Sequence, residues 1–482
     1  MTIVLRAFFR DCIIYTIPAA VSRGLGLLLV PIYTRILSPE DYGTLDMLMV
    51  FGGLVNLTVA LEVSQGVARF YAVETSSARK RSLASTAFWF TLGCYGLFVL
   101  LGLAGSRVLS PWVTGRDGLE SIFRIAVFGI GLNGVFYLIQ NQFRWELRSR
   151  RYTETNLLMS FVTLVAAVGF AYGLDWGLVG VLWGTVLGSL AGVVYGLSWL
   201  RTSYGWQFDC ALLWRMLRFS IPLVPSGLMV WMSTYLDRLM INHYLSLHEV
   251  GLYGVGYRLS SVVWFVLVGV QGALMPLVYH HYREPSTPSQ LATIFRLFLA
   301  GALLTFLTLT LFAHDFLVIM TTPDFYGSAS VVIYLVPAIT LSQMYIFAPG
   351  IGIAKKTHVY IWINLAGVVV NALLNWWLIP ALGMIGAAIA TLAGSSCVFA
   401  LCMYISQKSY PVPHEWKRLS FATVLAIALA VLIPTLAEEY ALPWIVNLLA
   451  LGVMAVGLVA LGLVRTHEIV RLRQLLRPKL TP

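Results

Sequence analysis

The chain has 482 residues, 59% of them hydrophobic and only 11% charged, with a net charge of +11. Soluble domains carry about 25% charged residues to keep their surface wet, so this balance excludes a cytosolic enzyme, a disordered chain and, despite the positive charge, a nucleic-acid binder. What it leaves is an all-α polytopic membrane protein.

Arg6 and Arg10 precede an apolar stretch that reaches residue 36, too long for the apolar core of a signal peptide, so it reads as a first span. A span takes about 20 mostly apolar residues, and a helix satisfies its own backbone over such a run. About fourteen runs qualify on that length: 12–36, 44–70, 83–104, 122–142, 155–173, 177–199, 217–243, 251–279, 291–312, 329–352, 359–379, 383–405, 420–437 and 443–464. The connections between them are too short for a soluble catalytic domain.

With the N-terminus in the cytoplasm, basic residues gather in every alternate connection. They are Arg6 and Arg10; Arg79, Lys80 and Arg81; Arg144, Arg148, Arg150 and Arg151; Arg201, Arg215 and Arg218; Arg283; Lys355 and Lys356; Lys408, Lys417 and Arg418; and a tail from Arg465 through Lys479. The other side holds only Arg35, Arg107 and Arg116. Both termini are therefore expected in the cytoplasm, and the basic excess reads as orientation and contact with anionic membrane lipids.

The chain repeats itself. Gly177-Leu-Val-Gly180-Val-Leu-Trp-Gly184-Thr185-Val-Leu-Gly188-Ser189 recurs as Gly383-Met-Ile-Gly386-Ala-Ala-Ile-Ala390-Thr391-Leu-Ala-Gly394-Ser395. Tyr15-Thr-Ile-Pro18 answers Phe219-Ser-Ile-Pro222, and Ser38-Pro-Glu-Asp-Tyr-Gly43 answers Ser246-Leu-His-Glu-Val-Gly251. An even number of spans separates the copies, so the expected architecture is a parallel repeat of two six-helix lobes. The divisions follow: 1–200 an N-lobe, 201–218 an interfacial linker rich in tryptophan and leucine, 219–410 a C-lobe, and 411–482 an appended helix pair with a basic tail. Gly180, Gly184, Gly188, Gly192 and Gly196 recur every fourth residue, a stripe that lets helices approach closely. Gly129-Ile-Gly-Leu-Asn-Gly134 has the letters of a dinucleotide fingerprint but lies inside a span with no strand before it, so it is discarded as such a site.

A charge at the bilayer centre costs about 2.5–3.5 kcal/mol on insertion scales. Within the spans, Arg23, Arg69, Arg124, Arg238, Arg258 and Arg296 outnumber Asp46, Glu62 and Asp237. For Arg69, Arg124, Arg296 and Asp46, near span ends, the plain reading is snorkelling to the interface. For Arg23, Glu62, Asp237, Arg238 and Arg258 it is a structural ion pair. The functional reading of both sets is a wet cationic cavity for an anionic substrate, since guanidinium forks match phosphate oxygens. Polar stripes at helical spacing point the same way: Thr58, Glu62, Gln65 and Arg69; Asn133, Tyr137, Gln140 and Arg144; and Asn364, Asn371 and Asn375. Pro18 and Pro31 in the first span, and Pro222 and Pro225 in the seventh, are expected kinks or hinges. Cys12, Cys94, Cys210, Cys397 and Cys402 are scattered and form neither a disulfide framework nor a thiolate metal site. The histidines show no repeated ligand spacing, His280-His281 included, and there is no Walker loop, so neither a metal site nor ATP hydrolysis is expected.

Arg23, then Pro31-Ile-Tyr-Thr-Arg35-Ile-Leu-Ser-Pro-Glu-Asp-Tyr-Gly43, then Gly66-Val-Ala-Arg69-Phe-Tyr71 resembles the start of Wzx-type O-antigen and polysaccharide flippases. These belong to the multidrug/oligosaccharidyl-lipid/polysaccharide exporter superfamily. The glycine pattern of the sixth and twelfth spans is also similar, and the resemblance covers roughly residues 1–405. It implies two six-helix lobes in a V around a cationic cavity, in the bacterial inner membrane. It also implies transport of an undecaprenyl-diphosphate-linked glycan from the cytoplasmic to the periplasmic leaflet. The last two helices, by analogy with lipid II flippases, help form a groove for the lipid tail.

On this reading Arg23, Arg238 and Arg258, with Arg69 and Arg124, hold the diphosphate and acidic sugars. Glu62 and Asp237 are the candidates for a coupling H⁺ or Na⁺, and no other cofactor is expected. The amides of Gln65, Asn133, Gln140, Asn364, Asn371 and Asn375 line the cavity. Expected partners are the lipid-linked glycan, membrane lipids, and a glycan polymerase with its assembly proteins. The competing readings are a cation-coupled drug exporter of the same superfamily, whose cargo would favour an acidic cavity, and a membrane enzyme of glycan assembly.

Overall fold

The computed structural model describes residues 29–465, apart from 266–269, 271–273, 275–277, 279–280, 357 and 438–442. Among the described residues every regular element is a helix. In chain order these are α1 (Val30–Ile36), α2 (Pro39–Thr58), α3 (Val63–Val73), α4 (Ser77–Ala104), α5 (Ser106–Thr114), α6 (Glu120–Trp145), α7 (Ser149–Val168), α8 (Gly177–Leu200), α9 (Cys210–Ser220), α10 (Val224–Tyr244) and α11 (Leu247–Ser260). There follow α12 (Thr287–Leu311), α13 (Ala313–Met320), α14 (Ala329–Gln343), α15 (Gly350–Ile353), α16 (Val359–Leu382), α17 (Met384–Ser409), α18 (Trp416–Ala437) and α19 (Pro443–Ala460).

Among the described residues ten helical segments are long and apolar enough to cross a membrane, and the bent pair α2–α3 makes an eleventh. The chain is a multi-pass membrane protein. Of the remaining expected spans, the first lies mostly outside the described residues and the eighth partly so. The last is the shorter apolar helix Trp444–Ala460.

Contacts divide the chain into two units, one ending at Gly254 and one beginning at Val255. In the first unit α10 and the start of α11 pack with α2, so this division falls later than the 201–218 linker that the sequence singles out. In the same unit α8 lies along α7 and α6. A Cβ on Gly180, Gly184 or Gly188 would overlap Ala171, Ala167 or Thr163 of the α7 segment, and one on Gly192 or Gly196 would meet Phe136 or Ile139 of α6. The glycine stripe is thus a packing device. It substitutes close van der Waals contact for the hydrophobic drive that lipid cannot supply. Gly129, Gly131 and Gly134 of α6 serve the same end against Val186, Val99 and Tyr95.

The other unit repeats the pattern. There α17 lies along α16 and α14, closing on Gly367, Gly386 and Gly394. The segments alike in sequence are alike in packing.

The two copies of the Ser-to-Gly motif also meet each other. A Cβ on Gly43 would overlap the Leu247 carbonyl, and one on Gly251 would overlap the Pro39 carbonyl. Leu247 and Pro39 stand at equivalent places in the two copies, so the crossing of α2 and α11 is reciprocal, as a local two-fold requires.

The linker is fastened to the start of α4. Arg81 donates to the Tyr204 carbonyl at 3.1 Å, Trp89 donates to the Gly205 carbonyl at 2.9 Å, and Trp89 stacks on Trp206 with centroids 4.7 Å apart. Asp209 then caps α9, accepting from the amides of Ala211 and Leu212.

Candidate functional site: buried charges and a basic cleft

Arg238 and Asp237 are adjacent on α10, and both are buried. Arg238 Nε donates to Asp46 Oδ2 of α2 at 2.6 Å. Its Nη1 reaches the Thr234 carbonyl at 3.0 Å and Asp237 Oδ1 at 3.5 Å. Asp237 also accepts from the Arg238 amide at 2.8 Å and from the hydroxyl of Tyr253 on α11. The rings of Tyr235 and Tyr253 flank the guanidinium at 5.5 and 5.6 Å. Among the described residues Arg238 faces two carboxylates, and the cluster joins α2, α10 and α11. Removed from water, such groups persist only when charge and hydrogen bonds are both matched. Asp46, which the sequence places at the interface, is instead buried and ion-paired with Arg238. Nothing in the sequence singles out Tyr253. The available signal was a pair of opposite charges at matching depth in two helices.

Two further bonds hold this end. Asn242 donates to the Thr114 carbonyl at 3.0 Å, and Glu40 pairs with Arg116 on an exposed surface.

The second feature is a break. Residues 59–62 interrupt the helix between α2 and α3, which meet at 47°. Leu61 and Glu62 both take left-handed backbone, φ 48° and 52°, although neither is the glycine that such torsions favour. The stripe expected through Thr58, Glu62, Gln65 and Arg69 is therefore split. Thr58 ends α2, Glu62 stands at the N-cap position of α3 without a side-chain cap, and Gln65 and Arg69 are exposed on α3. Beside the break, Tyr95 donates to Asn56 at 3.0 Å and Asn56 donates to Asn133 at 3.3 Å, linking α4, α2 and α6.

The remaining amides also bond across or along helices. Gln140 donates to Asn156 of α7. Asn375 donates to Asn371 at 3.0 Å, and Asn371 to Thr391 of α17 at 3.4 Å. Asn371 and Asn375 thus sit buried in the α16–α17 seam, while Asn364 is half-buried.

The other arginines are dispersed. Arg124, exposed, donates to Ser106 at 2.8 Å. Arg258 is half-buried near the end of α11. Arg296 is buried and donates to the carbonyls of Gly462 and Leu463 at 2.9 and 2.6 Å, closing the turn after α19. Arg23 and Pro18 lie outside the described residues.

Pro31 and Pro225 occupy first turns, and Pro222 sits in the single 3₁₀ turn that joins α9 to α10. There a proline costs no internal helix bond. Among the described residues the prolines inside helices are Pro111, Pro337, Pro380 and Pro434. Among the described residues no group of three or more His, Cys, Asp or Glu is arranged to hold a metal.

Arg69 belongs to a different place, the junction of α3 with the amphipathic α9. Gly66 lets the Met216 backbone approach α3. Met216 and Leu217 are buried, while Trp214, Arg215 and Arg218 are exposed. These three, with Arg69, Phe70 and Phe219, line a cleft of about 420 Å³.

A family model described as "Polysaccharide biosynthesis protein" matches residues 32–320. An Lsg locus protein of Haemophilus influenzae is 24% identical over 283 residues, which is 57% of this chain and 67% of the relative. The succinoglycan biosynthesis transport protein ExoT of Rhizobium meliloti is 26% identical over 267 residues, 52% of this chain and only half the length of that relative. Among solved structures, the lipid II flippase MurJ in an inward closed conformation aligns with TM-score 0.68 and 14% identity over 92% of this chain and 98% of its own. An inward-facing MATE family multidrug transporter aligns with TM-score 0.67 and 16% identity over 83% and 97%. At those identities the likeness is one of fold.

Proposed function

Because the chain belongs to the polysaccharide biosynthesis protein family, within the multidrug/oligosaccharidyl-lipid/polysaccharide exporter superfamily, we propose that it flips a lipid-linked oligosaccharide across the membrane. The cargo is an undecaprenyl-diphosphate-linked glycan, carried from the cytoplasmic to the periplasmic leaflet of a bacterial inner membrane. The reading rests on one conjunction: a family of polysaccharide biosynthesis on a membrane fold shared with a lipid II flippase and with multidrug exporters. The full complement of fourteen spans, both termini in the cytoplasm and service to a glycan polymerase belong to the same proposal.

Alternating access needs two states of similar energy, with cargo biasing one of them. The contacts between the repeat copies are the natural element to change. The Gly43–Gly251 crossing and the Asp46–Arg238 pair join α2 to α11 and α10. By the charge pattern of the connections this is the outer end, and release of cargo there requires the seam to part. When α2 withdraws, Arg238 loses one carboxylate and its fork becomes available to a phosphate. Arg23 and Arg258 are the other arginines assigned to the phosphates in this reading. Asp237 and Glu62 bind the coupling H⁺ or Na⁺.

The test is deletion of the gene followed by analysis of lipid-linked glycans. A glycan should accumulate facing the cytoplasm, and wild-type protein should clear it while Arg238→Ala should not. A deletion strain with no such accumulation would overturn the assignment.

A further inference from the structure

The cleft between α3 and α9 has a composition that helix packing does not require. The Arg69 guanidinium lies 4.7 Å from the centroid of Phe219, the Arg215 guanidinium lies 4.6 Å from that of Phe70, and the two rings meet edge to face at 6.3 Å. The order is cation, ring, ring, cation. Arg218 stands one turn from Arg215 on the same lip. Among the described residues none of these three arginines is ion-paired with a carboxylate. The acid near them, Glu74, accepts instead from the amides of Thr75 and Ser76 at 3.0 and 3.1 Å. Those amides, with Arg79 and Arg215 nearby, hold its carboxyl below the usual range.

Three like charges in one cleft repel each other unless an anion joins them. A guanidinium held over a ring gives up part of its rotational freedom, while its N–H groups can still donate to an anion. Such edges match phosphate oxygens two at a time, and three of them exceed what a single phosphate takes up. Trp214, 65% exposed beside them, suits the headgroup layer of a bilayer. The neighbouring basic connections place this layer on the cytoplasmic side.

We propose that this cleft is a surface site for the diphosphate of a lipid-linked glycan, holding it at the cytoplasmic headgroup level before it moves among the membrane helices. The site lies apart from the buried Asp46–Arg238 cluster. It rests on the reading of the chain as a lipid-linked glycan carrier, which it deepens by naming where the cargo is first held.

The test uses the purified full-length protein in detergent, with geranylgeranyl diphosphate as the lipid diphosphate and phosphatidylglycerol as the ordinary anionic lipid, read by native mass spectrometry. Wild type should hold the diphosphate at least about tenfold more tightly than phosphatidylglycerol. The double variant R215A/R218A should lose about tenfold or more of that affinity, with its melting temperature preserved. R215K/R218K keeps the charge without the fork and should fall between the two. Equal binding of both lipids, or wild-type affinity in R215K/R218K, overturns the proposal and leaves a general attraction for anionic lipid. A chain that passes the glycan-accumulation test but fails here is still a flippase and loses only this site.

Discussion

Arg238 Nε and Asp46 Oδ2 stand 2.6 Å apart, joining α10 to α2 with side chains only 4% and 10% exposed. The partners are not equally replaceable. Without Asp46, the guanidinium keeps Asp237 and the Thr234 carbonyl. Without Arg238, Asp237 keeps the residue-238 amide and the Tyr253 hydroxyl, but two buried carboxylates lose the cation between them. Arg238→Ala should therefore cost about 3–5 kcal/mol, and Asp46→Asn distinctly less. Thermal melts of the two purified variants decide this; equal losses would mean that Asp237 contributes nothing to the balance.

Gly43 faces the Leu247 carbonyl, which is backbone and cannot rotate out of the way. Gly43→Val should destabilise by about 1–3 kcal/mol or more, and Gly251→Val by a similar amount because the contact is reciprocal. Both should also impair glycan export. A Gly43→Val protein that melts with wild type would show that the backbones do not cross there.

The break before α3 yields a test of opposite sign. In a straight helix, glycine costs about 1 kcal/mol relative to alanine. At Glu62, with φ 52°, a non-glycine residue already bears roughly 1–2 kcal/mol of left-handed strain. Glu62→Gly should leave stability unchanged or raise it, while Glu62→Gln tests its proposed part in coupling without touching the backbone. A loss of the straight-helix size in Glu62→Gly would argue for a continuous helix.

His414, in the connection before α18, packs against Phe295 and Trp416 at 4.6 and 5.1 Å, and neither ring nitrogen finds a hydrogen-bond partner among the described residues. Burial pushes its pKa down to about 4. Between roughly pH 6.5 and 4 the unfolded chain takes up a proton that the folded chain refuses. Stability should therefore be full above that window and fall as the pH drops through it. The loss is about 1–2 kcal/mol, since the ring is only partly shielded from water. His414→Phe should remove this component. Melting temperatures at pH 7.5 and 4.5 for both proteins measure it as a difference, which cancels the titration of the common carboxylates.

Much of this architecture is written locally. Apolar runs of bilayer length mark the spans, and the fourth-residue glycines from Gly180 to Gly196 mark a close-packed helix face. What local pattern does not carry is partner choice. Asp46 reads as an interfacial acid until α10 is laid beside α2. Asn371 and Asn375 read as cavity lining until α17 covers them. The turn at Leu61 and Glu62 has neither glycine nor proline to announce it, because tertiary packing imposes it against local preference. Arg69 reads as a charge snorkelling to the interface or facing a cavity, and nothing local shows that α9 brings Phe219 against it.

The reciprocity of Gly43 and Gly251 bears on ancestry. A polypeptide of half this length, meeting a second copy of itself side by side in the bilayer, would form the same joint from a single gene. Fusion would free each half to drift, except where the halves press on one another. One turn further along each helix that drift is visible: Asp46 occupies the place that Gly254 holds in the other copy, and the bare glycine stands against the carboxylate. The joint therefore has two different sides, an acid on one and on the other the hollow that receives it.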